Sequence, residues 1–456
     1  MDGDWNPVLG DDASALYERL IRALERDIAS GVLQPGTRLP PQRLLAGRLD
    51  LSLGTVMKAY VEAERRGLVA GHVGRGTFVQ PGEHLDVEDL AGETIDLSVN
   101  TIPLGPATSA LAQALGQPRR RSETRSLLEY APAGGSEATR RACSRWLREV
   151  AALDVDWNSI QVTNGAQHAL SLALQAHCAS GSTVLCEELT YYGVRTAADL
   201  LGLRLHPVEI DHEGLRPDAL DAAAAETGAA CVYVMPTLQN PTTATMSAER
   251  RRQIIEVARR RGLSIIEDDN FAVFASPRPE ALAAIAPDIT TYVGGVAKTL
   301  APGMRIGFLV AQDRGIQMRV SAALTATVFA LPQMVAATFA DWVDDGTASS
   351  IVAEVVAEVG KRSDLVRGLL AGIEVKGFGG PHLWLPMTEL EAERTAGRAL
   401  RSGVAVTPPE AVALPGSGAS GLRLCIGAPT SLPALGRGIE RVLAALGRDA
   451  PSRSVV

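Results

Sequence analysis

Cysteine is scarce: there are five in 456 residues (Cys143, Cys178, Cys186, Cys231, Cys425), and no two form a C-x-x-C pair. That spacing predicts reduced thiols in a cytoplasmic protein and no zinc site. Histidine gives no metal pattern either. H-E-x-x-H is absent, and His168 and His177, on one predicted helix, read as core or surface residues. The opening MDGDWNPVLGDD lacks a basic stretch followed by an apolar one, so no secretory signal is expected. The most apolar long stretch, 320–340, contains Thr325, Thr327, Pro332, Gln333 and Thr338 and predicts a buried helix, not a membrane span. No internal repeats occur.

Positive charge is also in deficit. The net charge is −8, which taken whole argues against a nucleic-acid binder. The balance is uneven, however: residues 13–80 carry +4 and the remainder −12. A basic module on an acidic body suits a protein that touches DNA with one end.

Within that module Leu16, Leu20, Leu24 and Ile28 stand four apart, one face of a helix over 14–30 with Ser14 as its cap. Gly31 and LQPGTRLP end it. A short helix follows at 42–49. Ser52 then caps a third at 53–66, whose inner face includes Val56, Tyr60 and Ala63, and Gly67 stops it. LVAGHVGRGTFV predicts a hairpin. Three helices and a wing make a winged helix-turn-helix, at 13–80. The helix opening at Ser52 would enter the major groove of double-stranded DNA. Arg43 and Lys58 are candidate phosphate or base contacts, and the wing tip Gly74-Arg75-Gly76 would approach the minor groove.

The run from LYERLIRALERDIASGVLQPGTRLPPQ to GRGTFV resembles the DNA-binding domain of the GntR family over its whole length, with its S-G-x-L-x-P-G-x-x-L-P, TV-x-x-AY and G-x-GTFV marks in order. The resemblance implies DNA contacts at Arg43, Ser52, Thr55, Gly74 and Arg75. In one departure, Leu53 stands where an arginine is usual, followed by Gly54.

Residues 81–94 are polar and acidic and predict a linker. Beyond them, helical patterns alternate with short apolar runs (SIQVTNG, STVLCEE, LRLHPVEI, ACVYVMP, LSIIEDD, ITTYVGG, RIGFLVA), which predicts a mainly parallel sheet covered by helices. A further strand is expected at 421–428, in a smaller α+β C-terminal part. The body spans 95–448 and a loose tail 449–456.

This half supplies what pyridoxal phosphate (PLP) chemistry demands. A lysine must form the Schiff base, and Lys298 follows a strand among small residues. Asp268, at a strand's end, is placed to face a pyridine nitrogen. Arg305, seven residues past the lysine, and the turn at Gly165 and Ala166 opening a helix suit a phosphate. Tyr191 offers an aromatic face, Asn240 a hydrogen bond to a ring oxygen, and Arg423 a bidentate clamp for a carboxylate.

In that order these residues resemble the fold-type-I aminotransferases throughout 95–448, and the joined architecture resembles the MocR subfamily of GntR regulators. The resemblance implies the PLP-dependent transferase fold. It makes Lys298 and Asp268 the catalytic pair and Tyr191 the stacking ring. Asn240 would bond the ring hydroxyl, and Arg305 the phosphate beside Gly165, Ala166 and Gln167. Arg423 would take a ligand's α-carboxylate, and Tyr130 would reach across a homodimer to the partner's phosphate.

Four positions depart from the family: Gly295 and Ala297 replace hydroxyls before the lysine, Asn270 a tyrosine, and Thr243 a glycine. These changes favour simple aldimine formation over efficient transamination. The G-x-G-x-x-G at Gly416–Gly421 lacks a following helix and reads as a loop.

The expected function is a cytoplasmic, PLP-dependent transcription regulator that senses a small amino compound by aldimine exchange at Lys298. Two rivals stay open: a working aminotransferase with an accessory DNA module, and a regulator that senses PLP itself.

Overall fold

The computed structural model describes residues 5–9, 16–29, 32–33, 36–65, 68–72, 76–79, 94–116, 125 and 127–447. The chain divides into two compact units, 1–91 and 92–456. Ser14, Gly31, Gly67, Gly74, Arg75, the tail and all of the expected linker but Thr94 lie outside the described residues.

In the first unit α1 (Leu16–Ala29), α2 (Gln42–Leu49) and α3 (Leu53–Arg65) precede a hairpin of β1 (Val69–His72) and β2 (Gly76–Val79), paired antiparallel with Val69 opposite Val79. Leu20, Leu24, Leu45, Val56, Tyr60, Ala63 and Val79 form its core. Leu16, expected on the inner face, is exposed. The Tyr60 hydroxyl donates to the Pro40 carbonyl at 2.7 Å, tying α3 to the strand-like entry of α2. Ser52 caps α3, its Oγ accepting from the Thr55 N–H at 3.1 Å.

The second unit is built on a seven-stranded sheet. Its strands are β3 (Ile160–Asn164), β4 (Thr183–Glu187), β5 (Arg204–Val208), β6 (Cys231–Val234), β7 (Ser264–Asp268), β8 (Thr290–Gly295) and β9 (Ile306–Val310). They run in the order β3-β9-β8-β7-β6-β4-β5. All are mutually parallel except β9, which is antiparallel to both neighbours. Every residue of β6, β8 and β9 is buried, so none of these strands alternates between apolar and charged residues in the sequence. Across them lies α4 (Ala166–His177), which buries Ala169, Leu170, Leu172, Ala173 and Leu174.

The remaining chain forms the smaller α+β part. Ile95–Leu97 pairs in parallel with Val404–Val406, and His382–Pro386 pairs antiparallel with Gly421–Cys425. The helices Glu389–Arg401 and Leu432–Ala445 pack on them. Stretch 320–340 is not one helix. It is the end of Arg314–Thr327 and the start of Gln333–Asp344, parted where Phe329 takes a left-handed φ of 66° and Pro332 caps the second helix. Among the described residues no helix is long and apolar enough to cross a membrane.

Candidate functional site

The parallel strands all end on one side, and the residues that follow those ends enclose a cavity of about 440 Å³. Its lining includes Lys298, Asp268, Arg305, Ala166, Gln167, Tyr191, Asn240 and Arg423. Residues from seven separate segments of the sequence-based reading thus meet in one place. Gly165 adjoins as the N-cap of α4. Its φ of +82° and the approach of Arg305 Nη2, 2.5 Å from where a Cβ would stand, both call for glycine. Tyr130 does not line the cavity: it is 88% exposed and meets Phe329 edge-on, ring centroids 5.3 Å apart.

Lys298 is half-buried, and its Nζ, at the inner end, donates to the Asn100 carbonyl. Burial disfavours the ammonium and lowers its pKa to about 8. Burial likewise raises Asp268 to about 6, against two hydrogen bonds that favour the carboxylate: one from the Tyr233 hydroxyl at 2.8 Å and one from the Asn270 amide. Asn270, at the position of the missing tyrosine, therefore serves the aspartate.

Arg423 donates to Asn240 Oδ1 at 2.7 Å, the Ser98 carbonyl at 2.8 Å and Thr407 Oγ1 at 2.9 Å. Behind it His382 is fully buried. Burial pushes its pKa down to about 3, so the ring is neutral. Its Nδ1 lies 3.3 Å from the Asn100 amide and its Nε2 lies 3.4 Å from the Gln239 carbonyl. His382 thus steadies Asn100, whose carbonyl receives the lysine.

At the phosphate end, α4 begins without a side-chain cap, leaving its first N–H groups directed out of the helix. Arg305 Nη2 reaches the Asn164 carbonyl at 3.3 Å beside that end. Tyr191 and Tyr192 sit with ring centroids 4.8 Å apart.

The donor set fits PLP. Three buried polar atoms without a partner, Asn100 Oδ1, Gln167 Oε1 and Arg423 Nε, belong to residues lining this one cavity. An uncapped helix end and a guanidinium mark a phosphate place, and an aspartate marks a pyridine-nitrogen place.

Tyr233, His382, Ser98, Asn100 and Thr407 were not singled out from the sequence. Only Tyr233 had a visible signal, a polar tip inside an apolar strand. A larger groove, about 1140 Å³, runs past Trp384 and the Gly416–Ser420 loop and holds none of the cavity's charged groups. In that loop the Gly418 N–H donates to Glu188 Oε2 at 2.7 Å, so a carboxylate occupies the place a dinucleotide phosphate would need.

In the first unit Arg43 is exposed, and Ser52 and Thr55 are bonded to each other at 2.8 Å. The Lys58 ammonium lies over the Tyr17 ring, 3.8 Å from its centroid.

Comparison with known proteins gives two family matches. The aminotransferase class I and II model matches residues 92–442, and the model of bacterial regulatory proteins of the gntR family matches 16–79. The uncharacterized HTH-type transcriptional regulator YdeF of Bacillus subtilis is 30% identical over 324 residues, 70% of each chain. The vitamin B6 salvage pathway transcriptional repressor PtsJ of Salmonella typhimurium is 26% identical over 418 residues, 88% of this chain and 91% of PtsJ. Among solved structures, LysN, the alpha-aminoadipate aminotransferase of Thermus thermophilus complexed with N-(5'-phosphopyridoxyl)-L-leucine, superposes with a TM-score of 0.67. It is 25% identical and covers 79% of this chain and 94% of LysN.

Proposed function

Because this chain belongs to the class I and II aminotransferase family and, with its gntR module, to the MocR subfamily of GntR-family transcription regulators, we propose that it is a DNA-binding regulator that senses a small amino compound at Lys298. Its cofactor is pyridoxal phosphate. When bound, PLP supplies an aldehyde carbon that holds one amine at a time and a ring that draws electrons from it.

Lys298 is one such amine. With a pKa near 8 its Nζ sheds its proton far more readily than an exposed lysine, and the Asn100 carbonyl orients it. Asp268, held by Tyr233 and Asn270, would keep a proton on the pyridine nitrogen. Arg305 and the start of α4 would hold the phosphate, and Tyr191 would cover the ring.

The observation that carries the reading is Arg423 Nε. It is a guanidinium donor, buried and without an acceptor, on a residue that lines the cavity with Lys298. A guanidinium on the wall of that cavity is the charge and shape that suit a ligand carboxylate. Occupancy by an amino acid would then favour one of two conformations of the protein, and a coupling of ~1–3 kcal/mol would change DNA affinity about 5- to 150-fold.

The test pairs an absorbance scan of the PLP-loaded chain, with and without a panel of amino acids, with a gel shift on the DNA upstream of its own gene. A spectral change with one amine, matched by a change in DNA affinity, is expected. A second reading, a regulator that answers to PLP itself, is favoured by the likeness to PtsJ, whose name ties it to vitamin B6 salvage. In that case PLP alone shifts DNA affinity and no amino acid alters the spectrum.

A further inference from the structure

The leading edge of α3 carries an apolar stripe. Leu53, Met57 and Val61 stand four residues apart, on one face of the helix, and are 38%, 48% and 65% exposed. The adjoining face, Val56, Tyr60 and Ala63, is buried in the core of this unit. A surface helix whose outward face is also apolar needs an outside partner.

Polar readers are missing from the same edge. From Leu51 to Met57 there is no charged residue. The two hydroxyls there, Ser52 and Thr55, bond to each other and close the helix cap. Lys58, the first cation along α3, lies over the Tyr17 ring. Gly54 stands in open space, with only Ser52 Oγ, at 3.8 Å, near where a Cβ would be, so the helix can come close to a flat partner at that point. The arginine expected after Ser52, a residue type that pairs with guanine, is Leu53.

An apolar side chain in the major groove has one apolar feature to meet, the 5-methyl group of thymine. Resting on the DNA-binding reading above, we propose that Leu53 and Met57 are specificity-determining residues that read thymine methyl groups, so that each half-site is recognised through thymine and not through guanine. Leu53 opens the helix and Met57 lies one turn further, ~6 Å along the axis, which suits contacts to neighbouring base pairs. The flexible thioether of Met57 can follow the methyl position, and Val61 continues the stripe beyond the bases.

The full chain, loaded with PLP, is offered a randomised duplex pool. The enriched duplex is then remade with deoxyuridine in place of thymine, one position at a time, which removes only the methyl group. Affinity is expected to fall about four-fold at each contacted position. Leu53→Ala should abolish the effect at one position and Met57→Ala at its neighbour. Equal affinity for thymine and deoxyuridine duplexes, or a half-site whose discrimination lies at guanines, would overturn the proposal while leaving DNA binding intact. So would variants that change the oligomeric mass in light scattering and leave methyl discrimination untouched, since the stripe would then be covered by protein. Enrichment of no duplex would overturn the DNA-binding reading and this proposal with it.

Discussion

Arg423 and Asn240 are bonded to each other, Nη1 to Oδ1 at 2.7 Å, although the two residues stand 183 positions apart. In the function proposed above, Arg423 would hold a ligand's carboxylate and Asn240 a ring oxygen of the cofactor. Through this contact a carboxylate that engaged Arg423 would also act on Asn240.

Arg423→Ala should therefore weaken amino-acid binding by at least about 30-fold, the usual loss when a buried, hydrogen-bonded charge is truncated. Amines that lack a carboxylate should lose far less, since for them only the contact with Asn240 is removed. Titrating the cofactor absorbance with an amino acid and with its decarboxylated amine checks both halves of the claim.

The positions of the missing hydroxyls should respond differently. Ala297 lines the cavity, and Ala297→Ser should tighten PLP about three- to ten-fold by adding a donor. A Cβ on Gly295 would lie 3.0 Å from the Ile306 carbonyl and 3.2 Å from the Ala166 N–H, both backbone. Gly295→Ser should accordingly cost ~1–3 kcal/mol of stability. Cofactor titration and urea unfolding of the two variants measure the contrast.

Glu187, at the end of β4, is fully buried, and one of its oxygens has no partner. Burial raises its pKa to about 8. A carboxyl with a folded pKa above its unfolded value of 4.5 contributes stability in full below that value and loses it as pH rises through the folded pKa. Between pH 5 and 8 this one group should lower stability by up to ~1.4 kcal/mol per pH unit. In Glu187→Gln that part of the slope should vanish, as read from urea midpoints across this range.

Tyr130 should matter through a second copy of the chain. Its exposed ring rests against Phe329, so Tyr130→Phe keeps the ring contact and removes only the hydroxyl. PLP affinity should fall about ten-fold with the oligomeric mass unchanged, the loss typical of a hydrogen bond to a charged group. Light scattering and cofactor titration on the same sample decide it, and an unchanged affinity would remove Tyr130 from the site.

The large sheet was legible because β6, β8 and β9 are buried on both faces and carry no polar alternation to confuse them. The 320–340 stretch misled for the same reason: apolar residues continue through the break at Phe329, and Pro332 starts a helix as readily as it ends one. At the site, Lys298, Asp268, Arg305, Ala166, Gln167, Tyr191, Asn240 and Arg423 line one cavity, whereas Tyr130 does not. What escaped was support that has no motif. Lys298 leans on the backbone carbonyl of Asn100, 198 residues away, and a carbonyl carries no residue signature. His382 shows its role only once Asn100, Gln239 and Phe271 surround it. Lys58, a candidate DNA contact from the sequence, lies over Tyr17 of another helix, a pairing that no motif marks.

The reversed direction of β9 fixes how the lysine and the phosphate arginine are spaced. A parallel successor to β8 would need a crossover of roughly a dozen or more residues before its own start, and that start would lie at the far edge of the sheet. By turning back, the chain delivers Arg305 at the mouth of the cavity only seven residues after Lys298. The aldehyde and the phosphate of the cofactor would thereby be held by one short span. Inserting or deleting a residue within it would move one grip relative to the other, so in this chain the length of that span is as much a part of the binding site as the side chains it carries.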